Sequence, residues 1–557
     1  MSGSKFVGAV GVLALLTTGI ASGGVFETVV LSGEQSTIGE KTLRSFDDVD
    51  LNNNGQLLFQ ALVDDEEADE SWVHANIYVD AMGGRKLIDS VEREGDLYMM
   101  AGQHYTRGGW ANGDKFMGGL HRSQLNDRGD IAYIKVDGEW ELNGGSASQL
   151  SHEVTGKGMM TRVEGGQSSV LFGTGLDING QVVGDKDAYR YRDLLAHSLF
   201  QLNESGQVIT FAREENDPGF NGEYKSRESV LSGGLDGTQV LFDSQSVDEA
   251  WEFNFADSSY REAIYANEHG DVIAFSDGFG FTDPIFYSGS DQSIVSFVNQ
   301  GEAMPGYGEG SYLQGLMKPM RSGVINDNGT VHCVLRVKDP DSPGTVNLGL
   351  FEYKNDQLRL IEKSGNGGEH RYTWSMTIID SNNNDTLVYA GQSNSIVGYE
   401  FNMMRGGEVK SMYMTNDHAA GMSEDWKYGV NGPDFFTDEQ DHFRLNENDI
   451  AAMVIQIREN EDDPINAIYT YFEDEMQLVV HEGMDFEVMT DEGLETRVIE
   501  RINASVFDLN NQNMLAFGLE FEDGSSGIFT TMVPEPMSGA IVLGAGLMGL
   551  VRRKRVG

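Results

Sequence analysis

The sequence predicts an all-β repeat protein, a closed β-propeller of about eight blades, and three observations predict it. One short turn phrase recurs eight times along the 557 residues. The segments between its copies carry short aliphatic runs without helical periodicity, three or four strands to a unit. The first and last strands of the body read as two fragments of one repeat, split between the chain's ends, as a ring requires.

The phrase is "LNNNGQLLF" from Leu51, "LNDRGDIAY" from Leu125, "LNESGQVITF" from Leu202 and "ANEHGDVIAF" from Ala266. It returns as "INDNGTVHCV" from Ile325, "SNNNDTLVY" from Ser381, "LNENDIAAMV" from Leu445 and "LNNQNMLAF" from Leu509. Its asparagines, Asn52, Asn126, Asn203, Asn267, Asn326, Asn382, Asn446 and Asn510, are spaced by 74, 77, 64, 59, 56, 64 and 64 residues. Asp385 and Asn513 replace the glycine in two copies, and the seventh reads as having lost it. A fragment, "DINGQVVG" from Asp177, is a decayed extra copy or a plain hairpin. Asparagine and glycine tolerate positive φ, and Asx side chains bond their own backbone, so each phrase reads as a tight turn feeding a strand. The residues that follow, such as Leu57, Leu58, Phe59, Ala61, Leu62 and Val63, are apolar on both faces, which predicts a strand covered on both sides.

A second phrase lies between copies of the first: "LGLFEYKNDQLRLIEKSG", ending at Gly365, and "NAIYTYFEDEMQLVVHEG", ending at Gly483. After the last first-phrase copy only its opening survives, at Gly527-Ile528-Phe529-Thr530. The missing closing strand resembles Phe26 to Gly33. That circular shift predicts a ring closed by pairing the strand from Phe26 to Gly33 with the last blade, whereas an open solenoid would show capping repeats.

Two processing segments flank this body, which spans 22–531. Lys5, an apolar stretch from Phe6 to Leu16 and small residues ending at Ala21 predict a signal peptide over 1–21, cleaved after Ala21. At the other end, over 532–557, Val533-Pro534-Glu535-Pro536 leads into an apolar run over 537–551 and stops at Arg552-Arg553-Lys554-Arg555. This order resembles the PEP-CTERM sorting tail of Gram-negative bacteria: a Pro-Glu-Pro motif, one hydrophobic helix and a terminal basic cluster. The resemblance implies an exosortase-type membrane protease as partner and an association with exopolysaccharide. Physically, paired prolines keep the segment extended, the apolar helix halts translocation and the bases hold the cytoplasmic end. Gly544-Ala545-Gly546-Leu547-Met548-Gly549 matches GxGxxG, but no βαβ unit surrounds it, so no cofactor role is assigned.

The charge is -49, and the body without its two ends carries 87 acids against 34 bases. Such a chain repels phosphate backbones, so nucleic acid is not expected as a partner. Cys333 is the single cysteine, which excludes intramolecular disulfides and CxxC sites. His332 and Cys333, adjacent on a strand, point to opposite faces. The eleven histidines form no HExxH or HxH, there is no GxSxG, and no carboxylate pair is singled out. Trp72, Trp110, Trp140, Trp251, Trp374 and Trp426 fall mostly between the phrases, as inter-blade packing or a sugar-stacking surface. Asp50, Asn52 and Asn54 copy the first half of a calcium loop and form the candidate metal site. Residue 61 is alanine where an EF-hand needs glutamate, so plain Asx turns are the competing reading. The expected function is that of an exported, non-enzymatic surface or matrix protein. Its alternatives are a calcium-dependent or glycan-binding adhesin and a secreted polysaccharide-degrading enzyme.

Overall fold

The computed structural model describes residues 26–533 except 37–40, 65–70, 95–114, 142–156, 165–166, 174–189, 194–199, 216–225, 235–236, 244–263, 275–283, 297, 299–301, 317–322, 339–346, 364–371, 394–397, 430–441 and 460–463. The described residues form eight antiparallel sheets of four or five strands, one for each copy of the turn phrase. We number them blades 1 to 8 in chain order. Blade 1 runs from Thr42 to Glu94, blade 2 from Lys115 to Gly173, blade 3 from Arg190 to Asp243 and blade 4 from Ile264 to Ser296. Blade 5 runs from Tyr312 to Lys363, blade 6 from Tyr372 to Met414, blade 7 from Trp426 to His481 and blade 8 from Asp485 to Met532.

In each blade the phrase joins the innermost strand to the second. The Asn52 N–H donates to Gln56 O, Gly55 N–H donates back to Asn52 O, and all eight copies repeat this pair of bonds. The fourth turn residue is left-handed in every copy: Gly55, Gly129, Gly206, Gly270 and Gly329 have φ of 71 to 81°, and Asp385, Asp449 and Asn513 have 57 to 65°. This is a three-residue hairpin whose last loop residue must take positive φ, which explains glycine there and the Asp or Asn that replace it. The seventh copy therefore has not lost its glycine; Asp449 occupies that position. The second phrase forms the next hairpin but one, as in 347–354 paired with 357–363, where Asn355 and Asp356 both have positive φ. The fragment from Asp177 lies outside the described residues.

The core consists of the joints between blades. In the strand 331–338, Cys333, Leu335 and Val337 pack toward blade 4 while Val334 packs toward blade 6. In 451–459, Met453, Ile455 and Ile457 face blade 6 while Ala452 and Val454 face blade 8. Each second strand thus carries apolar side chains on both faces because it sits between two neighbours.

The ring closes where the shifted repeat predicts. The strand Glu27–Leu31 is the outer strand of blade 8 and pairs antiparallel with Ser526–Met532, Thr28 opposite Phe529 and Leu31 opposite Gly527. Phe26 anchors it, with ring centroids 4.9 Å from Phe486 and 6.0 Å from Phe517. Phe486 belongs to an additional hairpin, 485–490 with the start of 493–509, laid over this aromatic cluster. The packed body continues at least to Val533, two residues past the boundary read from the sequence. Its side chain is buried in the blade 7–blade 8 core, and its N–H donates to Asn513 O at 2.8 Å.

Candidate functional site: three polar belts around the ring

The eight turn phrases meet around the ring, and their polar atoms join blade to blade in three stacked belts. The middle belt is made by the phrase asparagines, each 4% or less exposed. Every Asn Oδ1 described in the turns accepts backbone N–H groups of its own loop; Asn52 Oδ1 takes those of Asn54 and Gln56, both at 3.0 Å. The Nδ2 group reaches across to the next blade. Asn52 donates to Asn126 O at 2.9 Å, Asn126 to Asn203 O at 3.0 Å and Asn267 to Asn326 O at 3.0 Å. Asn326 donates to Asn382 O, Asn382 to Asn446 O, Asn446 to Asn510 O, and Asn510 to Asn52 O, all at 2.9 to 3.0 Å. The last bond spans 458 residues and closes the circle. Only blade 3 departs: Asn203 Nδ2 donates at 3.5 Å to Glu268 O, one residue beyond the usual acceptor.

A second belt uses the residue after each asparagine. The N–H of Asn53 donates to Asp127 Oδ1, that of Asp127 to Glu204, that of Glu204 to Glu268 Oε2 and that of Glu268 to Asp327 Oδ1. The N–H of Asp327 then donates to Asn383 Oδ1, Asn383 to Glu447 Oε2, Glu447 to Asn511 Oδ1, and Asn511 to Asn53 Oδ1. A third belt uses the residue two places before each asparagine. Asp50 Oδ2 accepts Leu125 N–H at 2.6 Å, Gln124 accepts Leu202, Gln201 accepts Ala266, Asp380 accepts Leu445, and Asp508 Oδ2 accepts Leu51 at 2.7 Å. At this place blades 4 and 5 have Tyr265 and Val324, while blade 7 has Arg444, whose Nε donates to Asp508 Oδ1 at 2.8 Å.

Crowding these carboxylates raises several above the usual range. Burial, followed by the Asp508 charge, pushes Asp50 well up. Burial also raises Glu204 and Glu447, and it lifts Glu268 to about 7, with Asp327, Glu204 and Asp127 adding to the effect. These groups bind backbone donors, so the belts first of all tie blade to blade.

The candidate metal residues do not converge on one point. Asp50 and Asn52 are engaged as just described, and Asn54 Nδ2 donates to Asp127 O. Asp380, Asn382 and Asn384 repeat the arrangement, Asn384 Nδ2 donating to Glu447 O at 2.7 Å. Both triplets are Asx turns whose side chains reach the next blade. Among the described residues no group of three or more His, Cys, Asp or Glu is placed to hold a metal ion. His332 and Cys333 face opposite sides of their strand. Cys333 is fully buried and its thiol is pushed up by burial, which makes it a poor nucleophile. Of the six tryptophans only Trp426 has a described side chain, and it packs half-buried in the blade 6–blade 7 joint. In the tail, Val533 is a core residue, whereas Ala21, Pro534, Glu535, Pro536, Arg552, Arg553, Lys554 and Arg555 lie outside the described residues. Among the described residues no helix is long and apolar enough to cross a membrane.

No family model matches the sequence, and no curated protein matches it. Among solved structures, the chain is similar to the β-propeller domain of the Trilobed protease from Pyrococcus furiosus. The TM-score is 0.35 and the identity 7%, over 75% of this chain and 96% of that one. It is also similar to TolB from Acinetobacter baumannii, with TM-score 0.25 and 9% identity over 74% of this chain and 77% of that one. Trypanosoma rangeli sialidase gives TM-score 0.25 and 9% identity over 96% of this chain and 62% of that one. The fold rests on the structure itself: the described residues, in eight sheets with their closed belts, form an eight-bladed β-propeller.

Proposed function

We propose that this protein is an exported, non-enzymatic surface or matrix protein. In this reading an acidic propeller leaves the cell by the N-terminal signal peptide and is held at the inner membrane by the helix over 537–551. An exosortase-type protease then releases it by cutting near Pro534-Glu535-Pro536, outside the cell, where extracellular polysaccharide is its partner. One observation carries the reading. The last strand of blade 8 runs to Met532, Val533 is buried, and the Pro-Glu-Pro motif follows them directly in the sequence. In sequence the tail's prolines follow that strand with no intervening linker. Non-enzymatic use agrees with belts whose carboxylates are engaged by backbone N–H groups. Mass spectrometry of the extracellular form tests the sorting step: its C-terminus should fall near Pro536, and recovering peptides from Gly539 to Val551 would refute release. Replacing Pro534, Glu535 and Pro536 with alanine should leave the full-length chain in the membrane fraction.

The second reading is a glycan-binding adhesin. A glycan array separates it from the first, and polysaccharide digestion assays would expose an enzyme.

A further inference from the structure

The second belt is electrically uneven. Blades 2 to 5 contribute Asp127, Glu204, Glu268 and Asp327 in succession, whereas blades 6, 7, 8 and 1 contribute Asn383, Glu447, Asn511 and Asn53. On the second arc amides separate the charges; on the first, carboxylates are neighbours. The middle of the acidic arc is also where the middle belt is weakest. At the blade 3–blade 4 joint Asn203 makes its 3.5 Å bond to Glu268 O, while the seven other joints have 2.9 to 3.0 Å bonds.

Glu268 sits at this joint and binds the Glu204 N–H. The charged groups acting on it are Asp327 from blade 5, Glu204 from blade 3 and Asp127 from blade 2, and the titratable residues of its own turn are His269 and Asp271. Arg128, the nearest cation of the arc, directs its guanidinium to Ser205 O at 2.9 Å and to Asp130 at 3.5 Å.

We propose that the blade 3–blade 4 joint is a proton-controlled clasp: the ring is tight there when Glu268 is protonated and loosened when it is ionised. A neutral Glu268 keeps an oxygen for the Glu204 N–H and carries no charge against Asp327, Glu204 and Asp127, where an ionised one repels them. The sign follows from Glu268 lying near 7 in the folded chain and near 4.5 when unfolded. Its contribution is fully present below about 4.5 and is lost as pH rises toward 7. The device is independent of the sorting reading, since it concerns the ring alone.

Hydrogen–deuterium exchange of the full-length chain at pH 5.5 and 8.0, corrected for intrinsic rates, tests it. Protection of residues 200–215 and 264–274 should fall about tenfold at the higher pH, with little change at 446–459 and 510–520. Glu268→Gln should abolish that difference, and the exposed control Glu487→Gln should retain it. Should Glu268→Gln fail to fold, Glu204→Gln provides the second measurement. Removing one flanking charge should move the midpoint of the change to lower pH. Equal pH dependence at all four segments, or a dependence that survives Glu268→Gln, would overturn the clasp.

Discussion

Blades 1, 2 and 4 and blades 5 to 7 solve the same problem in opposite ways. In every turn the phrase asparagine has two Nδ2 hydrogens, and one goes to the next blade's backbone. In blades 1, 2 and 4 the other stays within the loop, on Gln56 Oε1, Asp130 Oδ2 and Asp271 Oδ2, four residues after the asparagine. In blades 5, 6 and 7 that fourth residue is Thr330, Thr386 or Ile450, and the second hydrogen instead crosses to the next blade. It finds Asp385 Oδ1 at 3.1 Å, Asp449 Oδ1 at 2.7 Å and Asn513 Oδ1 at 2.9 Å. These acceptors are the three residues that replace the turn glycine. A buried donor needs a partner, so losing the acceptor in one loop goes together with a side chain at the left-handed position of the following loop. The departures from glycine are therefore inter-blade bonds.

The largest test asks whether the two arcs form one cooperative ring. Deleting residues 26–33 removes the strand that closes blade 8, and with it the burial of Phe26, Val30 and Leu31. A loss of about 5 kcal/mol follows from the buried apolar side chains, and chemical unfolding should show a much lower midpoint. An unchanged midpoint would mean that closure by this strand contributes nothing.

Next, Asn446→Ala removes two cross-blade bonds and the Oδ1 acceptor for Asn448 and Ile450. A cost of about 3 kcal/mol is expected, since several buried groups lose partners together. Asn510, whose Nδ2 makes one cross-blade bond, to Asn52 O, should lose less on the same change, and the reverse ranking would contradict the bond assignment.

The comparison is sharpest at Asp449. Asp449→Gly leaves an Asn382 hydrogen without its acceptor but relieves a left-handed non-glycine residue, a net cost of about 1 kcal/mol. Thr386→Asp, which copies the loop-internal acceptors of blades 2 and 4, should restore much of it. A double-mutant cycle with no coupling between 449 and 386 would break the comparison. The converse change, Gly206→Asp, gains nothing because Asn126 already uses Asp130, and it should cost about 1 kcal/mol from the turn's positive φ.

The smallest effect concerns calcium. Asp50, Asn52 and Asn54 already hold protein donors or acceptors, so calcium should stabilise the chain no more than sodium chloride of matched ionic strength. A clear excess for calcium in thermal melts, abolished by Asp50→Asn, would restore the metal reading.

Much of the architecture is legible in the sequence because its signals are local. The turn needs Asn at its start and a residue tolerant of positive φ at its fourth place, requirements that chain neighbours alone impose. The eight copies, the strands they feed and the shifted phase of Phe26 to Gly33 are read from such signals. Asp449 was misread because an aspartate in the left-handed position looks like a deletion until its φ of 59° is known.

What tertiary structure alone decided is where the polar side chains point. Asp50, Asn52 and Asn54 at alternating places are compatible with a cation or with turns, and the sequence carries no term that chooses. Their acceptors and donors come from Leu125, Asn126 and Asp127, more than 70 residues away. The same holds for Asn510 and Asn52, which meet only once the ring is shut, and for Glu268, whose proton affinity is raised first by burial and then by carboxylates on three other blades. Backbone conformation is set within a few residues, whereas hydrogen-bond partnership and the field at a buried carboxylate are set by what folding brings beside it.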